Sequence, residues 1–237
     1  MVKNQDLKFA GFAPVFSKNN HLISETHPLA YDDALRSSHS DMRDGNDLKT
    51  LPYSREEVEQ IVRLFRENGH GAKGFIEKEA NEQNLKAEVE GYDILHIATH
   101  GYSSLKSPEL SGLYMHGPKA GDSSLTNDGF VYLKEIFSLP LHADLVVLSA
   151  CKSGVGKFVE GEGVMALPRA FIFKGVPNLL VSLWKVHDKK TKDLMLDFYQ
   201  ELLTGKPYAG ALRQAKLRQI EKGEHPMDWA GIVLIGR

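Results

Sequence analysis

The chain has 237 residues, of which 42% are hydrophobic and 25% charged, values typical of a globular protein with a sizeable buried core. The net charge of -2 at pH 7 gives no strong field of one sign, which argues against direct nucleic-acid or membrane-surface binding. The sequence has no apolar run of the roughly 18 residues that a membrane span requires, and its N-terminus lacks the apolar block of a signal peptide. Because a single cysteine cannot form an internal disulfide, we expect a cytoplasmic location.

The first half of the sequence predicts two short strands and two helices around a long polar tract. Residues 7–15 form an apolar run closed by a proline, which predicts a strand, and residues 16–49 predict a long, partly mobile loop. Residues 51–69 predict a helix, with Ser54 and Glu57 as a capping box and apolar residues at helical spacing. A short strand near 73–76 and a helix over 80–89 follow.

The second half alternates more regularly between strands and helices. Nearly continuous apolar runs at 92–101, 143–151 and 176–184 are typical of strands buried on both faces. The segments 110–118 and 128–139 predict a hairpin followed by a short helix. Three further helices are predicted at 160–175, 188–204 and 207–222. Residues 229–236 predict a last strand, which could be an edge strand or an internal one.

This order of elements predicts an α/β fold with a mainly parallel sheet. We expect a single domain over residues 1–237, because the tract 16–49 is the only candidate linker and no second core is evident. Ligands of such sheets collect at the carboxyl ends of the strands. Attention therefore falls on His100 with Gly101, on Cys151, and on the segment from Trp184 to Asp188.

The stretch VVLSACKSGVGKF, residues 146–158, allows three interpretations. Its Gly-Lys pair resembles the end of a phosphate-binding loop, but Cys151 replaces the first glycine and Phe158 replaces the hydroxyl residue that holds magnesium. A buried cysteine with a purely structural role is the second interpretation. The third is a loop that presents Cys151 as a nucleophile.

The position of a histidine favours the nucleophile. His100 ends another predicted buried strand and precedes Cys151 by 51 residues, close to the spacing of about 50 found in caspases. In that chemistry a thiolate attacks an amide carbonyl and the imidazole protonates the leaving amine. The backbone N–H groups of Gly101 and Cys151 are candidate donors to the oxyanion. This scheme requires no cofactor and no third catalytic residue.

Two alternatives concern the histidines. His100 could simply be a hydrogen-bonded residue at a strand end. His96 and His100 would be a zinc pair on a helix, but four residues of a strand span roughly 13 Å, which is too far for one ion. We therefore expect no metal site at this pair.

Five blocks together resemble the CHAT domain, a caspase-like group of cysteine peptidases related to separase. They are HIATHG (96–101), VVLSACKSG (146–154), GEGVMALPRAF (161–171), VSLWKVHD (181–188) and HPMDWAGIVLIG (225–236). The resemblance runs from about residue 50 to the end and implies a caspase-hemoglobinase-like three-layer α/β sandwich with a dyad of Cys151 and His100.

The resemblance also implies a substrate pocket. Trp184 and Asp188 match a separase block that lines the pocket for the basic residue before the cut, which suggests a preference for Arg or Lys there. Asp188 could instead be the N-cap of the helix that follows, and Trp184 could belong to the core.

The resemblance implies that the protein is a cysteine endopeptidase acting on a protein or peptide substrate. The alternative is a catalytically silent member of the fold that serves as an interaction module. Lys152 departs from the acidic residue that relatives often carry after the cysteine. Relatives usually have more sequence before this region, often tetratricopeptide helices. We therefore expect either a fragment of a larger protein or a regulatory partner, such as tetratricopeptide repeats.

Overall fold

The computed structural model describes residues 6–16, 51–102, 111–117, 127–149, 166–184 and 186–236. Within these ranges the chain forms a six-stranded sheet, a three-stranded sheet and helices that cover the larger sheet. Five strands of the larger sheet pair in parallel and the sixth is antiparallel. The predicted mixed α/β fold with a mainly parallel sheet is thus confirmed.

The strands and helices correspond closely to those predicted. The strands are β1 (Lys8–Ala13), β2 (Gly71–Ile76), β3 (Ile94–Ile97), β4 (Gly101–Tyr102), β5 (Gly112–Tyr114), β6 (Phe130–Tyr132), β7 (Leu145–Leu148), β8 (Asn178–Ser182) and β9 (Ile232–Gly236). The helices are α1 (Pro52–Glu67), α2 (Glu82–Glu88), α3 (Leu133–Ile136), α4 (Ala166–Phe173), α5 (Asp188–Leu203) and α6 (Tyr208–Glu221). The predicted hairpin is β5 with β6, and α3 is the short helix after it.

The strand order of the larger sheet is β2-β1-β3-β7-β8-β9. Strand β9 pairs antiparallel with β8 and is the last strand at one edge of the sheet within the described ranges, where the segment predicted at 229–236 is therefore an edge strand. In the centre, β3 and β7 are parallel neighbours, and Ile97 lies opposite Leu148 at their carboxyl ends. This edge of the sheet is the one where α/β proteins bind ligands.

Two apolar cores lie on the two faces of the sheet, because successive side chains of a strand point to opposite sides. Leu95 and Ile97 of β3 pack into one core, with residues of α2, α3 and α4. Ile94 packs into the other core, with residues of α1, α5 and α6. Helices therefore cover both faces, which explains why the central strands are apolar throughout.

Two details of the sequence prediction are wrong. The strand predicted over 92–101 is split: β3 ends at Ile97, and Gly101 begins β4 in the second sheet, paired with β5. The capping box is absent from α1. The helix begins at Pro52 with Leu51 at the N-cap position, so Ser54 lies inside the first turn, where its hydroxyl donates to the Leu51 carbonyl. Proline at the first helical position sets the start because its fixed φ suits a helix and its missing N–H is not needed there.

Several predictions fall on residues outside the described ranges. These are the long loop, apart from Phe16, the first part of the helix predicted at 160–175, and the whole segment 150–165 with Cys151 and Lys152. In the part of the chain that is described, every helix is too short or too polar to cross a membrane.

Candidate functional site

His100 lies just beyond β3, at the carboxyl edge of the central sheet. Its side chain is buried and its ring stacks on Phe16, with ring centroids 5.5 Å apart and an interplanar angle of 26°. Its carbonyl accepts a hydrogen bond of 2.9 Å from the backbone N–H of Tyr114 in β5. The histidine is thus held between the chain segment after β1 and the second sheet, and Gly101 follows it as the first residue of β4.

Ser149 marks the corresponding point on the neighbouring strand. Its backbone N–H donates to the Ile97 carbonyl at 3.2 Å, which extends the pairing of β7 with β3 by one residue. The Ser149 side chain is fully buried, and its hydroxyl has no hydrogen-bond partner among the described residues. Cys151 follows two residues later, outside those residues, so the predicted dyad and the predicted oxyanion donors stay predictions.

Asp188 is the first residue of α5, the helix that follows β8. Its Oδ2 accepts a hydrogen bond of 2.8 Å from the backbone N–H of Tyr53, in the first turn of α1. Burial raises the pKa of Asp188 to about 6, and the negative charge of Glu57 acts in the same direction. The N-cap of α5 is His187, so the alternative in which Asp188 caps its own helix is wrong. Asp188 binds the N-terminus of another helix instead.

Trp184 follows β8 and is attached to the C-terminal segment. Its Nε1 donates to the Met227 carbonyl at 2.9 Å, and its indole ring lies against Gly231, where a Cβ would come within 2.5 Å of the ring. His187 makes a further connection, with 2.6 Å between its Nδ1 and Asp228 Oδ1. The ring of Trp184 is half-buried, so it belongs to neither core entirely. Its role in a substrate pocket stays a prediction.

A buried polar network connects β3 to helices α1 and α5. His96 Nε2 lies 2.9 Å from Glu57 Oε1 of α1, and His96 Nδ1 lies 3.0 Å from the Tyr199 hydroxyl of α5. All three side chains are almost completely buried. With a hydrogen on Nε2, the His96 ring donates to Glu57 Oε1 and its Nδ1 accepts from the Tyr199 hydroxyl. Burial raises the pKa of Tyr199 well above its usual value, so this hydroxyl keeps its proton.

The sequence prediction missed this network and the contact between Asp188 and Tyr53. One signal was present: Glu57 occupies a position on the apolar face of α1, next to Val58 and Ile61. A charged residue at such a position is rarely buried without a partner. His96 within an apolar strand was the second signal. No local pattern, however, pairs Tyr53 with Asp188 across 135 residues.

His96 and His100 do not share a site. The first is engaged by Glu57 and Tyr199, and the second stacks on Phe16. Throughout the described ranges, histidine, cysteine, aspartate and glutamate form no group of three or more that could hold a metal ion.

Comparisons with known proteins show what the chain is similar to. A family model described as CHAT domain matches residues 17–237. Tetratricopeptide repeat protein 28 of Homo sapiens is 34% identical over 215 residues, a match that covers 78% of this chain and 8% of the human protein. Tetratricopeptide repeat protein 28 of Mus musculus is 38% identical over 104 residues, covering 43% of this chain and 4% of the mouse protein. The chain thus corresponds to a small part of the length of either relative.

Proposed function

This chain belongs to the CHAT domain family, and we propose that it is a cysteine endopeptidase that cleaves a protein substrate through a dyad of Cys151 and His100. A partner or an attached domain regulates it in this proposal. Tetratricopeptide repeats fit that role, because both relatives described above carry them in their names.

The register of two strands carries the proposal. Ile97 and Leu148 lie opposite each other in adjacent parallel strands, and His100 and Cys151 each follow their strand by three residues. Because a chain advances by at most about 3.6 Å per residue, three residues reach at most roughly 11 Å from a strand end. This favours a meeting of thiol and imidazole at the carboxyl edge, where ligands of α/β proteins bind.

The proposed chemistry needs only these groups and water. The Cys151 thiolate attacks the scissile carbonyl carbon, and the carbonyl electrons move to the oxygen, where the N–H groups of Gly101 and Cys151 stabilise the charge. The His100 imidazolium protonates the leaving amine as the C–N bond breaks. Water, deprotonated by His100, then cleaves the thioester and restores the thiol.

The presence of a single cysteine makes the dyad directly testable, because every thiol reaction of this protein reports on Cys151. We expect iodoacetamide to alkylate Cys151 at neutral pH about 10²-fold faster in the wild type than in His100→Ala, as the loss of a general base predicts. His142→Ala, which removes an exposed histidine at the opposite edge of the sheet, is the matched control. Equal alkylation rates for the wild type and His100→Ala would refute the dyad and favour the interaction module.

The proposed substrate preference has its own test. If Asp188 and Trp184 line the pocket, fluorogenic peptides with Arg or Lys before the scissile bond should be cleaved faster than those with Met, Leu or Asp, because a carboxylate binds a cation. A preference for Leu or Asp would contradict the role of Asp188 and leave the dyad intact.

A further inference from the structure

The carboxylate that the proposed pocket requires is engaged inside the protein. Asp188 Oδ2 accepts the backbone N–H of Tyr53 at 2.8 Å. This N–H belongs to the first turn of α1, where it has no carbonyl partner within the helix. Asp188 therefore satisfies an orphan donor at the positive end of a 16-residue helix, a position that favours a carboxylate.

The second oxygen of Asp188 is not presented to solvent. Oδ1 is buried and has no hydrogen-bond partner among the described residues. Glu57, one turn further along α1, brings a second negative charge, and its own Oε2 is also buried without a described partner. The positive charge of Lys192 acts in the opposite direction and lowers the pKa of Asp188. The Lys192 ammonium group, however, donates a hydrogen bond of 3.0 Å to Glu56 Oε1. Burial of the Asp188 carboxylate therefore costs desolvation free energy, which one hydrogen bond, from the Tyr53 N–H, offsets in part among the described residues.

We propose that the hydrogen bond between Tyr53 N–H and Asp188 is a latch that holds the substrate pocket closed until a basic side chain takes Tyr53's place. This inference rests on the proposed role of Asp188 in substrate binding. A guanidinium forms charge-assisted, bidentate hydrogen bonds with a carboxylate, which are stronger than one bond from a neutral amide. An apolar side chain offers no such exchange, so the latch makes the N-terminus of α1 part of the specificity for basic residues.

Two substitutions at one position isolate the backbone donor. Tyr53→Pro removes the N–H, and proline is tolerated in the first turn of a helix. Tyr53→Ala removes the same ring, which lies 5.4 Å from the Lys192 ammonium, but keeps the N–H. We expect kcat/KM for an Arg peptide to be about tenfold higher in Tyr53→Pro than in Tyr53→Ala, the value of one hydrogen bond to a charged group. The same ratio for a Leu peptide should be close to one. Equal values of kcat/KM for the Arg peptide in the two variants would overturn the latch.

A second experiment requires neither catalysis nor a proline variant. In Cys151→Ala, an uncleaved Arg peptide at saturation should accelerate hydrogen exchange of the Tyr53 amide by at least tenfold, since an amide that loses its acceptor loses its protection. The matching Leu peptide should leave that exchange as it is. Binding of the Arg peptide with no change at Tyr53, or no binding at all, would overturn the latch. Release of Tyr53 by the Arg peptide in Cys151→Ala, together with no cleavage of that peptide by the wild type, would support the latch and refute the proposed catalysis.

Discussion

The hydroxyl of Tyr199 provides a sharp test of the buried network beneath the candidate site. Tyr199→Phe removes the single oxygen that lies 3.0 Å from His96 Nδ1 and leaves the ring in its contacts with Phe9, Phe65 and Phe198. The buried His96 nitrogen then has no partner there. Leaving a buried polar group unsatisfied costs about 1–3 kcal/mol, so we expect the free energy of unfolding to fall by about 2 kcal/mol.

Urea denaturation followed by tryptophan fluorescence measures this change, because the chain has two tryptophans that report on folding. For a domain of this size, 2 kcal/mol corresponds to a Tm lower by about 4–8 °C. Tyr208→Phe is the matched control: this half-buried tyrosine in α6 has no side-chain hydrogen bond to a described residue, so its loss should cost less than about 0.5 kcal/mol. If the two variants are equally stable, the network contributes nothing to stability and the reasoning about His96 is wrong.

Two further predictions concern glycine packing and pH. Gly231→Ala should lower the free energy of unfolding by about 1–3 kcal/mol, because the new Cβ would lie 2.5 Å from the Trp184 ring, whereas Gly91→Ala, with open space around it, should cost far less in the same urea assay. Burial raises the pKa of Glu82 from 4.5 to about 7, so the folded state binds this proton more tightly and stability should fall as the pH rises from about 4.5 to 7. Glu82→Gln should flatten that decline in urea denaturation at pH 5, 6, 7 and 8; an unchanged slope would show that another group causes it.

The sequence predicts most of the sheet because its central strands are apolar on both faces. The side chains of β7 and β8 face two cores, so each strand is buried along its whole length and appears in the sequence as a nearly continuous apolar run. The ends of strands are predicted less well. The apolar run over 92–101 continues through Ala98 and Thr99, so the point where β3 stops and β4 turns into the second sheet has no local signal. His100 lies at that junction, three residues beyond β3, so the strand before it was predicted but the prediction that His100 ends this strand was wrong.

The contacts of Asp188 and Glu57 could not be predicted for a different reason. Both residues suit a helix N-terminus by local rules. The sequence interpretation placed Glu57 in a capping box and gave the N-cap of the following helix as the alternative to a substrate pocket for Asp188. In the fold, packing of α5 against α1 brings other partners within reach: Asp188 binds the first turn of α1, and Glu57 binds His96 of β3. Both carboxylates form hydrogen bonds, as the sequence indicates, but their partners lie 135 and 39 residues away in the chain.

These two contacts meet on a single turn of α1. Tyr53 holds Asp188, the candidate pocket residue, and Glu57 holds the strand that leads into His100. Residues four apart lie on the same face of a helix, so any shift of this first turn moves both attachments together. Substitutions at Tyr53 and Glu57 should therefore not be additive, and a loss of activity in Glu57→Gln could arise at either end of the site. The latch is consequently best tested at Tyr53 alone, by one variant with the backbone N–H and one without it, both of which leave Glu57 in place.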